Sequence, residues 1–144
     1  MNSFYFASQL LRGKWLLEPL FLENQGAIIS NYLNKYTEFQ KQEPDLMTAF
    51  AIDAKAGNGV KYSWYSGFDS APEGSVAVVR IRGALMKEDQ FCGPIGMESM
   101  GEIIKSADAH HNISAIVLHI DSPGGTVDGT EALANIVKST QKPT

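Results

Sequence analysis

Residues 115–140 read AIVLHIDSPGGTVDGTEALANIVKST, and the reading of this stretch decides the fold. Residues 115–120 are a nearly continuous apolar run, the pattern expected of a strand covered on both faces of a parallel sheet. Asp121-Ser122-Pro123-Gly124-Gly125 then turns the chain abruptly. From about Val127 to Thr140 the spacing is helical, with Leu133, Ile136 and Val137 forming the apolar stripe. The turn thus sits at the carboxyl end of a strand, where open α/β sheets bind their ligands.

The composition of the turn points to backbone chemistry. Pro123 fixes φ and removes one donor. The two glycines can take positive φ, and no side chain covers their N–H groups. Those donors lie beside the positive end of the following helix, which makes an anion-binding nest. Phosphate cradling would call for GxxxxGK[ST] or GxGxxG, and neither occurs. Stabilising an oxyanion is the second use, in which each backbone donor is worth roughly 3–4 kcal/mol. A tight strand-to-helix turn without any ligand explains the same spacing equally well.

Working upstream, residues 103–107 continue a helical face begun at Met97 and Met100, with Ile104 and Ala107 on it. SVAVVRIRGAL, residues 75–85, is rich in β-branched residues and reads as a strand closing at Gly83. Strand, helix and strand make one βαβ unit, expected to cross over with a right hand. Residues 57–74 are turn-rich and aromatic and read as a linker. Downstream, QKPT resembles the lead-in to a third parallel strand.

Residues 1–56 read as a helical N-terminal segment. A helix is expected from near Glu18, with Pro19 in its first turn and Leu20, Phe21, Ile28, Ile29, Tyr32, Leu33 and Tyr36 near a 3.6 period. DLMTAFAIDAKAG reads as a shorter amphipathic helix ending at Gly57 or Gly59. Ser99 with Glu102, and Asp128 with Glu131, have capping-box spacing.

The totals exclude several classes. The 144 residues carry a net charge of −4, and their basic residues are scattered, which argues against nucleic acid as a partner. One cysteine, Cys92, allows no intrachain disulfide, and three histidines make no zinc-type spacing. His110 and His111 read as a solvated helix end. No run approaches the roughly 20 apolar residues of a membrane span, so a cytoplasmic chain is expected.

IVLHIDSPGGTVDGTEALANIVKS resembles the hallmark segment of the SppA-type serine peptidases, which include signal peptide peptidase A and phage-head proteases. VAVVRIRGAL is similar to that family's first core strand, and GMESMGEIIKSADAHHNISAIVL to its first crossover helix and second strand. GKWLLEP is similar to the lead-in of phage-type members. The resemblance implies a ClpP/crotonase-like fold over residues 75–144: a parallel βαβα core, preceded by the helical segment. It implies that Gly124 and Gly125 give oxyanion-hole backbone, and that Gly125, Thr126 and Val127 bind an extended peptide or protein substrate. It also implies a Ser nucleophile and a Lys base on later segments, absent from these 144 residues. The expectation is therefore the N-terminal part of a Ser–Lys endopeptidase, inactive alone, requiring no cofactor and no metal. The phage-type members imply association with a phage prohead.

The residues in hand do not replace the missing dyad. Ser122, just before a proline, is expected to bond local backbone. His119 and Asp121 lie two apart on one strand, whereas catalytic triads draw on separate elements. Lys87, Lys105 and Lys138 read as solvated, and Lys142 matches no family base. Two other classes stay open: a homo-oligomeric scaffold module whose helices and unpaired sheet edge drive assembly, and a crotonase-type acyl-CoA enzyme.

Overall fold

The computed structural model describes residues 14–20, 23, 49–63, 65–89 and 95–144, and everything below concerns these. The helical period expected over residues 24–48 and Cys92 lie outside them. Six strands and two helices are described: β1 (Trp15–Leu17), β2 (Ala49–Ile52), β3 (Gly59–Lys61), β4 (Ser75–Arg82), α1 (Met97–Ala109), β5 (Ile113–Asp121), β6 (Gly124–Thr126) and α2 (Thr130–Ser139).

The larger sheet has the order β3-β2-β4-β5. Strands β4 and β5 run parallel, from Ser75 beside Ile113 to Arg82 beside Asp121, with one irregularity after Ser75. Helix α1 joins them, so the strand–helix–strand unit is present. The sheet is mixed, because β2 runs antiparallel to both β3 and β4. The protein is thus a mixed α/β structure.

β4 shows why one face carries the core. Ser75, Ala77, Val79 and Ile81 are buried, and the alternate residues are not. Ala49 and Ala51 of β2, with Ile113 and Ile116 of β5, continue that buried face. α1 packs on it through Met97, Met100, Ile103, Ile104 and Ala107, including the four positions expected from its spacing. Leu133 of α2 joins the same cluster, with Ile136 and Val137 packed against it. Helix approaches helix at Gly101, where a Cβ would lie 2.6 Å from Ile136 Cδ1.

Several expectations change. Residues 49–52, expected to be helical, are strand β2. Short apolar runs fit either period, and pairing with β4 buries Ala49 and Ala51 as no isolated helix could. The turn after β2 explains the misleading glycines: Gly57 adopts φ +69 and donates to the Asp53 carbonyl, returning the chain as β3. Residues 59–61, inside the expected linker, are that strand, and Phe68 and Ala71 from the same stretch are buried in the core. Near the N-terminus Trp15–Leu17 is strand, while Pro19, Leu20 and Glu23 are helical, in keeping with a start at Glu18.

β5 is not covered on both faces by the described residues: Val117 is 48% and Ile120 63% exposed. The two proposed capping boxes do not form either. α1 begins at Met97 behind Gly96, so Ser99 already lies in the first turn and donates instead to Asp89 at 2.8 Å. α2 begins at Thr130 behind a left-handed Gly129, which leaves Asp128 outside it, 3.4 Å from Lys87. Finally, His110 is no solvated residue: its ring stacks on His111 and its Nε2 lies 3.0 Å from Asp69, because the chain is extended at His110 once α1 has ended.

Candidate functional site: the Gly124–Gly125 edge

Leaving the large sheet at Asp121, the chain does not enter α2 directly. Gly124–Thr126 forms a short strand of its own, β6, flanked by backbone on both sides. On one side lies Leu85, which follows the end of β4: its N–H donates to the Gly124 carbonyl and its carbonyl accepts the Thr126 N–H, both at 2.8 Å. On the other side β1 runs antiparallel, with Trp15 beside Thr126, Leu16 beside Gly125 and Leu17 beside Gly124. The pairing is extended at both ends. Val127 N–H donates to the Lys14 carbonyl, and Glu18 N–H to the Pro123 carbonyl, each at 2.9 Å.

This sandwich is what the glycines are for. A Cβ on Gly125 would overlap the Leu85 carbonyl, and one on Gly124 would overlap the Leu16 carbonyl. Gly124 also adopts φ +108, a left-handed value that favours glycine.

Backbone groups in a strand point alternately to its two sides. Since the Gly124 carbonyl and Thr126 N–H face Leu85, the Gly125 N–H and carbonyl face the β1 side. Gly125 and Val127 are therefore directed at the edge strand. Thr126 is not: it is buried, its hydroxyl donates to the Asp128 carbonyl at 3.1 Å, and its own carbonyl accepts the Thr130 hydroxyl at 2.8 Å. Gly124 N–H is engaged at 3.2 Å by Ser122 Oγ, which itself donates to the Gly83 carbonyl at 2.7 Å. Ser122 thus braces the turn against the end of β4, as a serine before proline is expected to do.

His119 and Asp121 do not converge with Ser122 on any shared point. Both are exposed, and Asp121 faces Arg82 at 3.9 Å. Lys105 pairs with Glu102 at 3.0 Å on the surface of α1. Lys142 has a structural position instead, donating to the Ala107 and His110 carbonyls at 2.8 and 2.6 Å. A separate groove between the helices is lined by charged residues of both signs, among them Lys87, Glu102 and Asp128, together with apolar Met97, Leu133 and Ile136. Among the described residues no group of His, Cys, Asp and Glu is arranged to hold a metal ion, and no helix is long and apolar enough to cross a membrane.

The segment that reading by period missed is β1. At three residues it is too short to show a period of 2, and the bias of a residue before proline towards extended backbone touches only Glu18, just past its end. Leu85 was missed as well, because a single bridging residue after a strand leaves no pattern.

No family model matches the chain. A stretch of 60 residues is 33% identical to Protease 4 of Salmonella typhi, covering 42% of this chain and 10% of that protein. The chain thus aligns with about a tenth of the length of the curated relative it matches, and that likeness points to a peptidase at most.

Proposed function

We propose that this chain contributes part of the substrate-binding site of a serine peptidase. In that reading the edge of β6 holds an extended peptide through Gly125 and Val127, and the Gly124–Gly125 turn stabilises the oxyanion. Of the two glycines, Gly125 has its N–H on the peptide side, whereas that of Gly124 is engaged by Ser122. The nucleophilic Ser and the Lys base of the dyad would come from sequence beyond these residues. Burial beside the Ser would lower the lysine's pKa enough for it to accept the hydroxyl proton. The wider reading is a cytoplasmic, ClpP/crotonase-like enzyme related to phage-head proteases.

One observation carries the proposal: a glycine-built edge at the end of a parallel strand that accepts an extended backbone in antiparallel register. The partial likeness to Protease 4 supports the same chemistry. The test is labelling with a fluorophosphonate serine-hydrolase probe, applied to this chain and to a form extended through the sequence that follows Thr144 in its gene. Labelling of the extended form alone, lost when its serine is replaced, is the expected result. Labelling of the 144-residue chain would shift the nucleophile to Ser122, and failure of both forms, folded, would end the peptidase reading.

An assembly role is the second reading, favoured by the exposed Val117 and Ile120 on β5.

A further inference from the structure

We infer that the chain's own residues 14–18 act as a built-in competitor, holding closed the extended-peptide edge of β6 proposed above. The inference rests on the proposed function for what the edge is used for, though not for whether it binds.

Three features make the edge a site for backbone rather than an incidental contact. Pairing runs over five positions, from Val127 with Lys14 to Glu18 with Pro123. The absence of a Cβ at Gly124 is what admits the Leu16 carbonyl so closely. The far side of Gly125 is fixed by Leu85, so the edge keeps its shape whether or not β1 is in place.

The occupant also reports what the edge accepts. Alternate strand residues point to opposite sides. Trp15 and Leu17 are half-buried, while Leu16 between them is 70% exposed. A ligand is thus read as an extended segment with bulky apolar side chains two apart and a freely variable residue between them.

The fit of the occupant is imperfect. The buried indole Nε1 of Trp15 has no hydrogen-bond partner among the described residues, and a buried donor left unpaired weakens whatever holds it there. Residues 14–18 are therefore a tethered competitor that a better-matched peptide can displace. A site only fractionally open binds an external ligand more weakly by that fraction.

The experiment uses a fluorescein-labelled peptide with the sequence RGKWLLEPL, residues 12–20 of the chain. Its binding is followed by anisotropy to the wild type and to Leu16→Pro, which removes the N–H opposite Gly125 at an exposed position. The variant is expected to bind at least about tenfold more tightly than the wild type, and a peptide carrying proline at its own central leucine is expected not to bind. Equal binding by both proteins, with residues 113–121 equally protected from hydrogen exchange, overturns the inference. Should Leu16→Pro fail to fold, the wild type decides. Excess peptide must accelerate exchange over residues 14–18, and unchanged exchange at millimolar peptide overturns the inference too. Neither readout needs a nucleophile. Peptide binding without probe labelling of an extended form would refute the peptidase reading alone, and labelling without displacement would refute this one alone.

Discussion

Gly124 and Gly125 are neighbours with different burdens. A methyl group on Gly125 meets the Leu85 backbone, which belongs to the body of the protein, so there is nothing soft to give way. Gly125→Ala is expected to cost about 2–3 kcal/mol through overpacking, read as a lower urea midpoint. A methyl group on Gly124 meets Leu16 instead and is also strained by a φ of +108. Gly124→Ala should therefore release β1, so that hydrogen exchange accelerates over residues 14–18 while residues 113–121 keep their protection. Trp15→Phe tests the opposite sign. It keeps a ring in place and deletes the unpartnered indole N–H, so a stabilisation of about 1 kcal/mol is expected. A loss of stability would mean that the N–H has a partner and that the occupant fits well. At this scale the sequence was informative where chemistry is local. A serine before proline in a glycine turn had few options, and Ser122 took the expected one. Ser99 and Asp128 had the right spacing for caps, but capping depends on where each helix begins, and Gly96 and Gly129 shifted both starts.

The elements divide the same way. β4 and α1 were legible because each carries a full period of buried residues, four on β4 and the expected four among six on α1. β2 was not, since AFAI is too short to distinguish a period of 2 from one of 3.6. Its partner β4 lies some 25 residues away, a pairing that no local pattern records. The end of α1 is a further case of distant partners. Lys142, two residues from the chain's end, donates to the carbonyls of Ala107 and His110, and Asp108 accepts the N–H groups of Gln141 and Lys142 at 2.9 and 3.0 Å. Lys142→Met is expected to cost about 1 kcal/mol, because two carbonyls at a helix C-terminus lose a charged donor. Burial pushes the Lys142 pKa below the ordinary lysine value, with Asp108 pulling the other way. The unfolded chain then binds more protons than the native one in the window just below the ordinary lysine pKa, and stability linked to this group rises with pH across it. The wild type should gain on Lys142→Met as pH climbs towards that value, as urea midpoints at several pH values would reveal. A gap that narrows instead would mean that the two carbonyls and Asp108 favour the ammonium more than burial opposes it.

Among the described residues, the buried face of the sheet carries the core, and β5 is an outer strand of the order β3-β2-β4-β5. β5 was expected to be enclosed because its residues are apolar almost without interruption, yet the described residues leave Val117 open on one face and Ile120 on the other. Ile116 N–H donates to the Pro143 carbonyl at 2.8 Å, so the chain at Pro143 comes alongside β5. That is the position which QKPT was expected to approach. An apolar strand edge that no strand among the described residues pairs is a template for further pairing, so the 15.7 kDa chain is expected to self-associate as its concentration rises. Ile120→Lys places a charge on that edge at a position already 63% exposed, where a substitution should change monomer stability by no more than about 0.5 kcal/mol. Sedimentation equilibrium is the measurement. The weight-average mass of the wild type should climb with concentration, and that of the variant should stay at the monomer value. If both stay monomeric, the edge is satisfied within the chain itself and the assembly reading loses its support. If both associate alike, the contact lies elsewhere than on β5.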